Sequence, residues 1–180
     1  MSNKDFFVIG DYKFAKKIDR SDIRKRVSKL AEQIRNEHSG HNLTYIVVLK
    51  GAFVFAADLI REINLPSEIL FIDSKSYGSN FKSSGKVVLN LNDIDIKNKN
   101  ILIIEDIIDS GKTMKALLQA LHKQQPESVE IVAFLSKPES RETELFVKYI
   151  GYDIPPDFVI GYGLDYAEQG RHLPDIYTKL

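Results

Sequence analysis

The chain contains six apolar runs of the length of a β-strand, separated by polar segments. The first is continuous in β-branched and aromatic residues, which is the pattern of a strand covered on both faces. Runs of this length that end in polar or glycine-containing segments predict strands. The six runs are LTYIVVL (43–49), SEILFIDSKS (67–76), VVLNL (87–91), ILIIED (101–106), VEIVAFLS (129–136) and DFVIGYG (157–163).

Three other segments carry apolar residues at helical spacing. The first begins at Ser21, whose side chain is the expected N-cap, and ends near Ser39 and Gly40. The second runs from Ala52 to Ile63, and the third follows the fourth apolar run. The stripes that predict the first and third helices are Ile23, Val27, Leu30, Ala31 and Ile34, and Met114, Leu117, Leu118 and Leu121.

Strands that alternate with helices indicate an α/β fold with a mainly parallel central sheet flanked by helices. The 180 residues fit a single domain, with its core in residues 40–165. We expect segments 1–20 and 150–180 to build a small accessory hood. The stretch 76–86 contains several serine and glycine residues and almost no apolar anchor, so it is expected to be mobile.

The charge balance and the amino-acid content restrict the possible functions. The 25 Lys and Arg residues equal the 25 Asp and Glu residues, which argues against nucleic acid or an anionic membrane as a partner. The chain has no cysteine, which excludes disulfides, thiolate metal sites and cysteine nucleophiles. No apolar run approaches the ~20 residues of a membrane-spanning helix. Asp5, Asp11 and Lys13 interrupt any signal-like apolar region, so the cytoplasm is the expected location.

The end of the fourth apolar run carries the strongest chemical signal. In open parallel sheets, ligands bind beyond the carboxyl ends of the strands. The string ILIIEDIIDSGKTM places Glu105, Asp106 and Asp109 directly after a buried ILII strand and then enters the third helix through a short turn. That turn consists of Ser110, Gly111, Lys112 and Thr113.

The turn has the chemistry of a monophosphate site. Gly111 can adopt the positive φ of a tight turn, Ser110 and Thr113 offer hydroxyls, and the free N–H groups of the helix N-terminus attract an anion. The acidic pair suits a ribose, because carboxylates accept hydrogen bonds from vicinal hydroxyls. A Walker loop is excluded, because Asp106 stands where that motif requires glycine. The competing interpretation is that these carboxylates are only solvated loop or N-cap groups.

The full string resembles the phosphoribosyl-pyrophosphate (PRPP) signature of the type I phosphoribosyltransferases, and within that family the hypoxanthine-guanine phosphoribosyltransferases. Four further segments resemble other motifs of this family and occur in the family's order. They are LKGAFVF (49–55), KSYGS (75–79), FLSKPESR (134–141) and DFVIGYGLDYAEQGRHLP (157–174). The resemblance therefore covers most of the chain.

The resemblance implies a type I phosphoribosyltransferase fold and a purine salvage reaction. Hypoxanthine or guanine would be joined to PRPP through N9, giving IMP or GMP and pyrophosphate through an oxocarbenium-like state. Mg²⁺ is the implied cofactor, and a homodimer or homotetramer is the implied assembly. The stretch 76–86 is implied to be a flexible lid that excludes water, with Ser76 and Tyr77 among the catalytic residues.

The resemblance also implies individual roles. Asp109 is the implied general base, facing N7 of the purine, and Lys137 is implied to donate to O6. The residues implied to bind PRPP and its phosphates are Lys50, Gly51, Glu105, Asp106, Ser110, Gly111, Lys112, Thr113 and Arg171. Those implied to contact the purine are Ile107, Lys137, Phe158, Val159 and Asp165, and those implied to hold Mg²⁺ are Glu105, Asp106 and Asp165. A strained, cis peptide is implied beside Lys50.

Two alternatives to this enzyme stay open from the sequence. One is a PRPP-sensing regulator with the same fold that binds RNA or DNA, and the other is a phosphoribosyltransferase that prefers xanthine. The zero net charge, and the joint presence of Asp109, Lys137, Asp165 and Arg171, favour the enzyme over the regulator. Taken singly, Lys137 could equally be a solvated lysine after a strand.

Overall fold

The computed structural model describes residues 5–73 and 95–180. The predicted run VVLNL (87–91) and the predicted lid, with Ser76 and Tyr77, lie outside these ranges. The elements in chain order are β1 Phe6–Ile9, β2 Tyr12–Ile18, α1 Arg20–Glu37, β3 Leu43–Leu49, α2 Phe53–Ile63, β4 Ser67–Asp73, β5 Asn100–Ile108, α3 Lys112–His122, β6 Ser128–Ser136, a 3-10 turn Pro138–Ser140, β7 Tyr149–Asp153, β8 Val159–Ile160 and β9 Ile176–Lys179.

The larger sheet is parallel and has the strand order β4-β3-β5-β6-β7. Helices α1 and α2 contribute to the core on one face, which includes Tyr45 and Leu102, whereas α3 packs on the other face against Ile46 and Ile103. The alternating side chains of one strand thus enter two different cores. The predicted α/β class is confirmed, and the register brings the carboxyl ends of the strands to one edge.

Helix α1 begins one residue earlier than predicted, and its cap is a different residue. The predicted N-cap Ser21 is wrong, because the side chain of Asp19 accepts the hydrogen bond from the Ser21 N–H at 2.8 Å. A carboxylate at this position also favours the helix dipole. The five apolar residues of the predicted stripe are all buried.

The smaller sheet is antiparallel, with the order β1-β2-β9-β8, and combines both ends of the chain. Asp175 anchors it to α1, since its buried carboxylate accepts from the Arg20 N–H at 2.8 Å and lies 3.3 Å from the Lys16 ammonium. A hood built from the two ends was expected. Residues 150–153 were predicted to belong to the hood, but they lie in the strand β7 of the parallel sheet.

The predicted strand 157–163 is mostly wrong. Only Val159–Ile160 pair in the sheet, opposite Thr178 and Tyr177. Gly161, Tyr162 and Gly163 follow with φ values of 99°, 49° and 101°, a left-handed conformation that ends the strand. The two glycines are therefore turn residues rather than interruptions of a longer strand.

A cluster of polar side chains ties the end of α1 to strands β6 and β7. The buried Tyr149 hydroxyl donates to Glu37 at 2.8 Å, and the Lys148 ammonium lies 2.8 Å from Glu37 and 2.7 Å from Glu130. His38 completes the cluster 3.0 Å from Glu130. Hydrogen bonds from Lys148 and Tyr149 lower the pKa of Glu37 to about 2.

Acid should weaken the fold through Glu37. Because the native pKa of Glu37 lies below its ordinary value of 4.5, its stabilisation is present above that value and is lost as the pH falls toward 2. We expect Glu37→Gln to lower the free energy of unfolding at pH 7 by about 1 kcal/mol, a figure reduced for the partial exposure of the carboxylate. Urea unfolding at pH 7, 5 and 3 should show this difference shrinking with acid. Glu32→Gln on the exposed side of α1 is the matched control, and a constant difference across the series would contradict the assignment.

No helix within residues 5–73 and 95–180 is long and apolar enough to cross a membrane.

Candidate active site

The acidic residues lie at the carboxyl end of the central strand β5. The strand continues to Ile108, so Glu105 and Asp106 lie inside β5, near its carboxyl end. The string ILIIEDIIDSGKTM had suggested instead that they follow the strand. They face a cleft of about 210 Å³. The cleft is lined by Glu105, Asp106, Ile107, Ile108, Asp109, Ser110, Gly111, Thr113 and Met114.

The turn between β5 and α3 has the conformation that a phosphate site requires. Gly111 has a φ of 80° and is the N-cap of α3, which begins at Lys112. The Ser110 hydroxyl accepts from the Lys112 N–H at 3.4 Å. Asp109 does not cap the helix, which disfavours its purely structural interpretation. The N–H groups of the first turn of α3 are thus available to an anion at the cleft.

The carboxylates of Glu105 and Asp106 are electrostatically crowded. Burial raises the pKa of Glu105 well above its ordinary range, and the neighbouring Asp106 raises it further. Burial likewise raises the pKa of Asp106, although hydrogen bonds and the positive charge of Arg171 oppose that rise. Two carboxylates in this environment favour a nearby cation, because it would offset both their burial and their mutual repulsion.

Gly51 and Gly163 permit three distant segments to meet at the cleft. A Cβ atom on Gly51 would overlap the Asp106 carboxylate, and a Cβ atom on Gly163 would overlap the carbonyl oxygen of Gly51. The Leu49–Lys50 peptide bond beside this contact is cis, as the resemblance implied. The loop after β3, the end of β5 and the segment after β8 therefore touch through positions that only glycine can occupy.

Lys137 and Asp109 are brought together from two adjacent strands. The Lys137 Nζ atom lies 2.8 Å from the Asp109 Oδ2 atom, and the lysine side chain is only 9% exposed. The backbone N–H of Lys137 donates to the Ile108 carbonyl at 2.9 Å, which fixes the residue after β6 against the end of β5. An ammonium group at this depth is a directed donor rather than a solvated surface charge.

Arg171 and Asp165 form a second charged group at the same edge. The Arg171 Nη2 atom lies 2.7 Å from Asp165 Oδ1, and Nη1 donates to the Gly163 carbonyl at 2.8 Å. The Arg171 charge also partly opposes the rise that burial causes in the pKa of Asp106. Glu168 contacts both Arg171 and Lys50, at 3.2 Å and 3.6 Å. These contacts bring the residues expected to bind pyrophosphate into one cluster.

The expected purine contacts lie where the two sheets approach each other. Phe158 is 45% exposed, and its ring contacts Tyr166 edge-on at a centroid distance of 5.8 Å. Val159 is buried at the start of β8, and Ile107 is partly buried on β5 opposite Leu135. The exposed Phe158 ring leaves an aromatic surface available for stacking.

The sequence missed three residues that contact the site. Arg141 donates to the Ser136 hydroxyl at 3.1 Å, and its side chain packs against Gly111. Thr143 donates to the Ser110 carbonyl at 3.4 Å, and Glu168 joins the Arg171 cluster. Arg141 stands in a segment that resembles a family motif, but its contact with a turn thirty residues away leaves no periodic signal in the sequence.

The side chains fit a magnesium ion better than a closed metal centre. Within the described residues, no three His, Asp or Glu side chains converge into a metal cluster. Mg²⁺ in proteins often uses only one or two carboxylates, together with substrate phosphates and water. The adjacent Glu105 and Asp106 meet that requirement, and Asp165 supplies a further carboxylate that is 27% exposed.

Comparison with known proteins identifies one family. The family model for the phosphoribosyl transferase domain matches residues 16–167. The hypoxanthine phosphoribosyltransferase of Salmonella typhimurium is 41% identical over 160 residues, which cover 87% of this chain and 90% of that protein. The hypoxanthine-guanine phosphoribosyltransferase of Dictyostelium discoideum is 43% identical over 159 residues, which cover 85% and 88%. A crystal structure of the Bacillus anthracis hypoxanthine-guanine phosphoribosyltransferase superposes with a TM-score of 0.84 at 39% identity, covering 97% of this chain and 100% of that one.

Proposed function

This chain belongs to the phosphoribosyltransferase family, within its hypoxanthine-guanine group, and on that premise we propose how its own residues act. The enzyme transfers the phosphoribosyl group of PRPP to N9 of hypoxanthine or guanine and releases pyrophosphate. The observation that carries the proposal is the pairing of Lys137 with Asp109, at 2.8 Å, beside the phosphate turn. A donor for O6 and an acceptor for N7 then lie where one purine reaches both.

The phosphate turn binds the sugar end of the substrate. The 5′-phosphate is received by the backbone N–H groups after Gly111, of which the Lys112 N–H is the first, and by the hydroxyls of Ser110 and Thr113. Glu105 and Asp106 accept hydrogen bonds from the ribose hydroxyls. This arrangement fixes the anomeric carbon relative to the purine, and such fixing of reactants supplies much of the acceleration in transfer reactions.

Different residues act on the attacking purine and on the departing pyrophosphate. Asp109 accepts the purine proton at N7 as N9 attacks, while Lys137 donates to O6 and stabilises the purine as it loses that proton. Phe158 stacks on one face of the base, and Ile107 packs on the other. The Val159 backbone reads the pyrimidine edge of the base. Arg171, Lys50 and the Gly51 backbone receive the departing pyrophosphate.

We propose that Glu105, Asp106 and Asp165 would hold Mg²⁺ partly through substrate oxygens and water, because the three carboxylates do not converge into one cluster within the described residues. Their crowded carboxylates and the reliance of magnesium on few protein ligands support this assignment. When bound, the ion neutralises charge that builds on the leaving pyrophosphate. The roles of Ser76 and Tyr77 as catalytic residues of a lid stay predictions.

One assay tests the proposed function. Pyrophosphate release should be measured with Mg²⁺ and PRPP against hypoxanthine, guanine, xanthine and adenine, with and without a chelator. We expect release with hypoxanthine and guanine only, and its loss when the chelator is present. Release with xanthine above both would favour the xanthine-preferring alternative, and absence of release with every base would contradict the enzyme.

We also propose that the protein is a homodimer or homotetramer that works in the cytoplasm. Within residues 5–73 and 95–180, β4 is the last strand on its side of the parallel sheet. Its Ile69 and Phe71 are 42% and 60% exposed, and a second copy of the chain would cover these apolar side chains. We expect Phe71→Glu to lower the mass measured by light scattering to that of one chain. Phe146→Glu, at an 82% exposed position away from β4, is the matched control. A wild-type protein of monomer mass would refute the proposal.

A further inference from the structure

The turn that carries Glu168 has an unfavourable backbone. Ala167 and Glu168 have φ values of 51° and 63°, so two successive residues other than glycine are left-handed. This conformation is unfavourable for any residue with a Cβ atom. Reciprocal backbone hydrogen bonds between Tyr166 and Gln169, at 2.9 and 3.0 Å, hold the turn closed. Backbone strain of this kind is concentrated at functional sites.

A second contact fixes Glu168 relative to the site. Its backbone N–H donates to the Oδ2 atom of Asp165 at 2.8 Å, while the other oxygen of Asp165 pairs with Arg171. The backbone of Glu168 is therefore held in place by Asp165, which also pairs with Arg171 in the region expected to bind pyrophosphate.

The Glu168 carboxylate contacts both cations that are assigned to pyrophosphate, Arg171 and Lys50. Its Oε2 atom lies 3.2 Å from Arg171 Nη2 and 3.6 Å from Lys50 Nζ. The Glu168 and Lys50 side chains are about half exposed, at 51% and 50%, so an incoming anion can displace this contact. Together with Asp165, which lies 2.7 Å from Arg171, the Glu168 carboxylate thus offsets the charge of the two cations before a phosphate arrives.

We propose that Glu168 is an internal competitor of pyrophosphate that sets the affinity of the site for this group. This inference rests on the proposed function, because it takes Arg171 and Lys50 as the pyrophosphate cations. When pyrophosphate binds, it replaces the carboxylate on both cations and then lies beside a negative charge. The repulsion limits how tightly the product is held, and the returning carboxylate helps to release it.

The charge of Glu168, rather than its shape, is the quantity to test. Glu168→Gln keeps the size and the backbone of the residue but removes the negative charge, and Glu168→Ala removes the side chain. We expect both variants to bind magnesium pyrophosphate about 1.5-fold to fivefold more tightly than the wild type, which is the range for a partly exposed ion pair. Isothermal titration at low and high salt measures this, and the gain should shrink at high salt.

The outcomes separate this inference from the function. Glu62→Gln, at an exposed position on α2, is the matched control and should bind like the wild type. Unchanged or weaker binding by the Glu168 variants, in an enzyme whose wild type is active, would overturn the inference and leave the function intact. A wild type that neither binds magnesium pyrophosphate nor releases it from PRPP would instead contradict the function.

Discussion

Replacing Asp109 with asparagine should lower kcat by about 10²- to 10⁴-fold, the usual contribution of a well-placed general base. The amide retains the size of the carboxylate, but it cannot accept the N7 proton. The Asp109 side chain is 55% exposed and belongs to a turn that it does not cap, so the fold should tolerate the change.

The measurement for Asp109 is single-turnover formation of IMP, together with direct titration of PRPP. We expect the affinity for PRPP to remain near that of the wild type, because the ribose and phosphate groups contact other residues. Asp153→Asn, at the exposed end of β7, provides a matched control. Near-normal turnover of the Asp109 variant would remove this residue from the chemical step.

Discrimination against adenine should fall sharply when Lys137 becomes glutamine. The ammonium group offers donors only, so the 6-amino group of adenine finds no acceptor there. Sites built around such a hydrogen bond can reject the wrong analogue by ~10⁴ to 10⁵. A glutamine amide both donates and accepts, and it should therefore reduce the hypoxanthine-to-adenine ratio of kcat/KM by at least about 10²-fold.

The Lys137 prediction depends on the hypoxanthine-to-adenine ratio of kcat/KM rather than on absolute activity. A loss of base selectivity changes this ratio, whereas damage to the fold lowers the activity with both bases. Lys123→Gln, just beyond α3, is an exposed control that should leave the ratio unchanged. Comparable use of adenine and hypoxanthine by the wild type would refute the assignment at once. An unchanged ratio in the variant would show that another group reads the 6-position.

The core of the fold and the phosphate turn could be predicted because their signals are local. The runs 43–49 and 129–136 are strands at or within one residue of the expected bounds, since β-branched residues buried on both faces leave a continuous pattern. Gly111 has the positive φ that its place in the motif required. Each of these features depends on residues close together in sequence.

The missed features depend on contacts between distant segments. β7 begins at Tyr149 and contains Ile150, Gly151 and Tyr152, a short run interrupted by glycine, and it becomes a strand by pairing with β6. The hood itself is predicted from segments 1–20 and 150–180, but the pairing of β2 with β9 spans more than one hundred and fifty residues, and no local pattern can indicate it. Glu168 escaped notice for the same reason, because only the folded chain brings it to Lys50.

The ion pair between Lys137 and Asp109 has a consequence for the order of recognition. Before the base arrives, Asp109 pairs with Lys137, so the lysine ammonium, whose side chain is only 9% exposed, is not left as an isolated buried charge. A 6-oxopurine carries O6 and N7 on the same edge and can replace both partners in a single event. A ligand without O6 would separate the pair and leave the Lys137 ammonium without an acceptor, so the closed pair itself screens incoming bases before any bond to the ribose is broken.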